Sequence, residues 1–237
     1  MGLNEKFLEQ LIASFQSYLI SGARSNEKLK VIHSFISDSI SNKFKNDKLI
    51  FYSLRNDKKS KELKIPGRYM EKAVDIAVCQ DNKVLAAVGF KFVMSNYKQN
   101  SNNYFENMLG ETANIRCNNI PYFQILVIPK ELPYFDENGE IKTWEEINEN
   151  NIHKYVVLSE DDCLNYFHTP ELTLLYVVQL QPHKSTITNR AKYKKYYSDK
   201  PLTIYNGFSG FQDGVVYNNF KEFIDKLYHF IQYKYKL

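Results

Sequence analysis

The chain has little of what builds disulfide-stapled, zinc-bound or membrane-embedded proteins. Its 237 residues include three cysteines, Cys79, Cys117 and Cys163, an odd and widely spaced set that argues against a disulfide framework or a zinc knuckle. The five histidines, His33, His153, His168, His183 and His229, form no HxxxH or HxH pair. No apolar run approaches the ~20 residues of a membrane helix, and the opening MGLNEKFLEQ has no signal-peptide core. Gly2 would suit myristoylation, but Lys6 stands where that signal needs Ser or Thr. No internal repeat or long linker divides the chain. These absences predict a cytoplasmic protein in a reducing compartment. A single domain over residues 1–237 is expected, large enough to bury a sizeable core.

What is present is aromatic and segregated in charge. The 18 Tyr and 16 Phe lift the aromatic share to 15%, a level that AT-rich coding can produce without any functional cause. The net charge of +4 is too mild to call for nucleic acid. Its distribution says more. Residues 55–72 carry seven Lys/Arg against three acids, residues 183–200 carry six against one, and residues 131–162 carry ten acids. Such segregation predicts one face for a polyanion and an acidic face turned away from it.

Apolar periodicity predicts helices over residues 3–19 and, after an N-cap at Ser25, along Leu29, Ile32, Phe35, Ile36 and Ile40. Strands are expected at 49–54, 73–79 and 83–94, the last two joined by Gln80-Asp81-Asn82. A helix over about 103–115 would bury Phe105, Met108, Leu109 and Thr112. Strands at 122–128 and 172–180 and a helix from about Tyr217 complete the reading. The order alternates a meander with a crossover, which predicts an α/β fold with helices on both faces of a mixed sheet.

The chemistry concentrates in AVDIAVCQDNKVLAAVGFKFV, residues 73–93. Asp75 and Lys91 lie inside apolar strands, where charges are costly unless paired or functional. A turn near residue 81 puts Asp75 opposite about Ala87, so Lys91 comes within reach only through a bulge or a shifted register. Gly89 suits such a bulge. A carboxylate and a lysine so placed can hold a divalent metal beside a phosphodiester and stabilise the charge that develops.

This arrangement resembles the PD-(D/E)xK nuclease superfamily, which includes many type II restriction endonucleases. The resemblance covers roughly residues 25–129, in which Asp75 matches the first acid and Lys91 the lysine. It implies a restriction-endonuclease-like core of helix, three-strand meander, helix and strand. Residues 130–237 would add strands, a basic loop and a C-terminal helix. Val74 replaces the family's proline, and Gly89 occupies the place of the second carboxylate. In some restriction enzymes of the superfamily that carboxylate comes from the following helix, beyond a QN-containing segment. Here Lys98-Gln99-Asn100 leads to Glu106, the first choice for the migrated acid, with Glu111 the weaker candidate. Glu27, on the first core helix, matches the position of an assisting acid, although first-turn helix electrostatics would also account for it.

The resemblance thus implies a Mg²⁺-dependent DNA endonuclease, a type II restriction enzyme or related phage-defence nuclease. Asp75 and Glu106 would bind metal, Lys91 would position the nucleophile or stabilise the transition state, and Glu27 would assist. The alternatives are a catalytically inactive DNA-binding protein of the same fold and an RNA- or structure-specific nuclease. The partner would be double-stranded DNA, and a symmetric target would call for a homodimer. Arg190, Lys192, Lys194 and Lys195, interleaved with tyrosines, are candidate DNA contacts, as are Arg24, Arg68 and Asn100.

Overall fold

The structure is a computed structural model that describes residues 1–22, 25–45, 48–55 and 60–236. Among the described residues, six helices flank a seven-stranded mixed sheet. In chain order the helices are α1 (Leu3–Ser21), α2 (Glu27–Phe44), α3 (Tyr97–Arg116), α4 (Glu149–Glu160), α5 (Arg190–Tyr197) and α6 (Phe220–Tyr235). The sheet runs β1 (Leu49–Ser53), β4 (Ile76–Gln80), β5 (Lys83–Phe92), β6 (Tyr122–Pro129), β9 (Leu172–Gln179) and β10 (Thr203–Ile204), and β11 (Val215–Tyr217) also pairs with β9. Two hairpins stand apart from it: β2 (Leu63–Ile65) with β3 (Lys72–Val74), and β7 (Glu131–Phe135) with β8 (Ile141–Glu146). The α/β expectation holds.

Strands β1, β4 and β5 form an antiparallel meander, whereas β5, β6 and β9 are parallel. Burial on both faces explains why β6 reads as apolar sequence broken only at Gln124. Phe123, Ile125 and Val127 join the core beneath α1, α2 and α6, while Leu126 and Ile128 join the one beneath α3 and α4. Helix α6 shows the same logic in its 3.6-residue form, burying Phe220, Phe223, Ile224, Leu227 and Ile231. No helix among the described residues is long and apolar enough to cross a membrane.

Three local features differ from the sequence expectation, and each bears on the site. First, residues 73–79 are not one strand. Asp75 is the link between β3, which pairs with β2, and β4, which belongs to the main sheet. Second, α3 begins at Tyr97, not near Asn103. The polar KQN run is helical because Tyr97 is fully buried, with its hydroxyl 3.2 Å from that of Tyr155. Third, the acidic β7–β8 hairpin does not face away from the basic segment. It packs against it, through a Glu140–Asn189 bridge, a Glu131–His183 contact at 3.3 Å and Trp144 stacked on His183 at 4.0 Å.

Candidate active site

The β4–β5 register brings Asp75 and Lys91 into range. At the turn, Gln80 pairs with Lys83 and Cys79 with Val84, but Val78 pairs with Ala86, so Leu85 is an extra residue. Asp81 and Asn82 both have positive φ, 48° and 64°, the pair that a tight type I′ hairpin turn requires. Beyond the bulge Ile76 pairs with Val88, which sets Asp75 opposite Gly89 and makes Lys91 its diagonal neighbour. The shift that the sequence required is therefore present, but at Leu85 and not at Gly89.

Gly89 has another reason to be glycine. A Cβ at this position would lie 2.0 Å from the Tyr122 hydroxyl and 2.8 Å from Gln124 Oε1. No carboxylate fits there while those groups hold their places. The Tyr122 hydroxyl donates to Glu111 Oε1 at 2.8 Å, and Lys72 Nζ lies 2.7 Å from Glu111 Oε2. The space of a third-strand acid is thus taken by a tyrosine that holds a helical acid in place.

Asp75, Gly89, Lys91, Glu111, Tyr122 and Gln124 line a cavity of about 240 Å³, closed on the helix side by Tyr104, Asn107 and Met108. The Asp75 side chain is 28% exposed, and its Oδ2 accepts a 2.7 Å hydrogen bond from the Phe90 N–H. Burial, and after it the negative charges of Glu62 and Glu111, push the Asp75 carboxyl up to about 7, against the opposing pull of the Phe90 N–H and Lys72. The Lys91 ammonium lies 4.6 Å from the centroid of the Tyr104 ring. Burial pulls its pKa down and the Asp75 charge pulls it back up. Lys28, in the first turn of α2, is lowered by burial and then by the charge of Lys91.

The other candidate residues are dispersed. Glu106 is exposed and is not among the cavity's lining residues; its charge acts on Lys154. Glu111, the weaker candidate, is the helical acid that the cavity contains. Glu27 is 59% exposed and pairs with Lys30, so the turn of α2 from which the resemblance implies an acid instead brings the Lys28 cation into range of Lys91. Asn100 turns back on its own helix, donating from Nδ2 to the Asn96 carbonyl at 3.0 Å. Arg68 sits in the β2–β3 loop, which Asn114 fastens to α3 through the N–H groups of Tyr69 and Met70 and the Met70 carbonyl. Arg190, Lys192, Lys194 and Lys195 lie on α5, anchored by the buried rings of Tyr193 and Tyr197. Arg24 lies outside the described residues.

Two further residues adjoin Asp75 that the sequence reading missed. His33 is fully buried on α2, and its Nε2 lies 3.8 Å from Asp75 Oδ1. Burial drives its pKa down to about 4, so the ring is neutral at pH 7. Glu62, just before β2, has its carboxyl raised by burial. One ligand atom from each of His33, Glu62 and Asp75 lies within 4.8 Å of the others. A signal for His33 was available: it interrupts the apolar face of α2 between Ile32 and Ile36. Glu62 carried none, because nothing local links it to Asp75.

The cavity thus gathers carboxylates that repel one another and a lysine, a set able to bind a hard cation and oppose negative charge on a bound group. No family model, curated protein or solved structure matches this chain.

Proposed function

We propose that the chain is a metal-dependent DNA endonuclease of the restriction type, acting on duplex DNA. The observation that carries this reading is the convergence of Asp75, Glu111 and Lys91 on one open cavity beside a glycine that tertiary packing requires. The order α2, β1, β4, β5, α3, β6, a meander followed by a parallel crossover, supports it, since the PD-(D/E)xK core runs in that order. The β2–β3 hairpin would be an insertion.

The donor set fits Mg²⁺, since Asp75 and Glu111 offer hard oxygen ligands whose mutual repulsion a cation relieves. When bound, the ion would polarise the phosphate and lower the pKa of the attacking water. The chain supplies orientation and charge. The Phe90 N–H holds Asp75, and Tyr122 with Lys72 holds Glu111, so both acids are ordered before substrate arrives. Lys91 opposes the negative charge that accumulates as the water oxygen–phosphorus bond forms and the bond to the leaving oxygen breaks.

Helix α5 follows β9 at the carboxyl ends of the parallel strands, the edge near which Asp75 and Lys91 also lie. Its lysines would hold phosphates there. The β2–β3 loop, with Arg68 and an 81% exposed Tyr69, flanks the site through the Lys72–Glu111 pair. A homodimer would present two such sites to the two strands. The three free thiols suit the cytoplasm, where such a target lies.

The test is incubation of supercoiled plasmid with the protein and Mg²⁺. Wild type should nick or linearise it and Lys91→Ala should not. Equal cleavage by both would remove Lys91 from the site, and band shifts without nicking would favour an inactive DNA-binding protein.

A further inference from the structure

His33 raises a question that the cleavage reading does not answer. It is wholly buried on α2, and neither ring nitrogen has a hydrogen-bond partner among the described residues. Leaving such a group unsatisfied costs roughly 1–3 kcal/mol, and a leucine would pack beside Phe90 without that penalty. The ring does pack edge-on against Phe90, 5.5 Å between centroids, but that contact needs no nitrogen. Its Nε2 lies 3.8 Å from Asp75 Oδ1, too far for a hydrogen bond. It is a natural separation for two atoms that share a metal, since bonds of about 2.1 Å put neighbouring ligands roughly 3–4 Å apart.

We propose that His33, Glu62 and Asp75 form a cation site that prefers an imidazole-accepting divalent transition ion, such as Mn²⁺, to Mg²⁺. All three ligand atoms lie within 4.8 Å of one another. Opposed ligands around one ion are about 4.2 Å apart, so closure asks for about half an ångström, which the partly exposed Glu62 can supply. One imidazole nitrogen with two carboxylate oxygens is a mixed donor set. Neutral imidazole is accepted by all the first-row divalent ions, Mn²⁺ the most weakly among them, whereas Mg²⁺ favours oxygen and keeps its waters. The site meets the nuclease cavity at Asp75, whose Oδ1 faces His33 while Oδ2 takes the Phe90 N–H. The inference rests on the nuclease reading only for what the ion would do in cleavage; binding itself stands on the geometry.

The experiment is pulsed EPR on the full chain loaded with Mn²⁺, with calorimetric titration of Mn²⁺ and Mg²⁺ alongside. Imidazole nitrogen coupling to the ion is expected in wild type and in Glu111→Gln, and should be lost in His33→Leu. Glu62→Gln, altered at a partly exposed position, should weaken Mn²⁺ binding at least tenfold. Mn²⁺ bound without nitrogen coupling, or no Mn²⁺ bound, overturns the proposal, as does unchanged affinity in Glu62→Gln. Plasmid cleavage in Mg²⁺ is read separately. Cleavage without nitrogen coupling defeats this proposal and spares the nuclease reading; coupling without cleavage does the reverse.

Discussion

Helix α3 separates two cavities that share a wall and little else. On one side Tyr104, Asn107, Met108 and Glu111 face Asp75 and Lys91 across about 240 Å³. On the other, Ser101, Asn102, Phe105 and Leu109 face His153, Lys154 and Val157 of α4 across about 620 Å³. The larger space is the less eventful one. There Lys154 is pulled down by burial and back up by the Glu106 charge, whereas the partly buried Asp75 in the smaller one is pushed up to about 7 by burial and by Glu62 and Glu111. Volume is therefore a poor guide here, and strained electrostatics a better one. Glu106 and Glu111 sharpen the contrast. Five residues at ~100° each leave them about 140° apart around the helix, so a helix that aims Glu111 at Asp75 must aim Glu106 elsewhere.

The comparison breaks most decisively in cleavage. Asp75→Asn and Glu111→Gln should each lower plasmid cleavage by roughly 10²–10³-fold, the scale of losing a preorganised charged group. Phe105→Ala, in the larger cavity, should leave the cleavage rate of the folded protein within about twofold. A large loss from Phe105→Ala would move the proposed active site across the helix.

Next in size is the packing under Gly89. Gly89→Ala drives a Cβ into the buried Tyr122 hydroxyl, and overpacking of this kind costs about 1–3 kcal/mol, read by chemical denaturation. Adding Tyr122→Phe, which removes that oxygen, should recover part of the loss.

The charge strain itself can be measured as stability. The folded-state pKa of Asp75 lies above its ordinary 3.8, so between about pH 4 and 7 the native state binds more protons than the unfolded one. Stability then falls as pH rises through that window, and the full penalty is present above pH 7. Allowing for partial solvation, Asp75→Asn should stabilise the metal-free protein by on the order of 2 kcal/mol at pH 8 and by little at pH 4. A flat difference between the two proteins across that range would remove the strain.

Smaller still is the contribution of α5. Replacing Arg190, Lys192 and Lys195 by alanine should weaken duplex binding roughly tenfold. It should also flatten the salt dependence, by up to ~0.9 in slope for each phosphate that those side chains neutralise. Smallest is Glu106→Gln, expected to leave stability within ~0.5 kcal/mol and cleavage unchanged.

Much of this framework was legible in the chain. The two apolar runs within residues 73–93 and the polar Gln80-Asp81-Asn82 turn between them announced paired strands, and the stripes of α1, α2 and α6 announced their buried faces. Asp75 and Lys91 stood out because charges inside apolar strands need a reason. What misled was the start of α3. Read as beginning near Asn103, the helix puts Glu106 in its first turn, close to the strand ends. Beginning at Tyr97, it carries Glu106 into its third turn and around to solvent. The KQN run looked like loop because its polarity hides the one residue, Tyr97, that is buried to start the helix.

By itself, then, the sequence determined the principal helices and strands of the core, their order and the two charges set among apolar residues, because hydrophobic period and turn chemistry are local properties. Only the tertiary structure decided which glutamate faces Asp75, why residue 89 is glycine, and that His33 and Glu62 meet the same carboxylate. Those depend on a one-residue bulge, on a helix phase set by a distant tyrosine pair, and on contacts between segments about 13 to 42 residues apart, which no local pattern encodes.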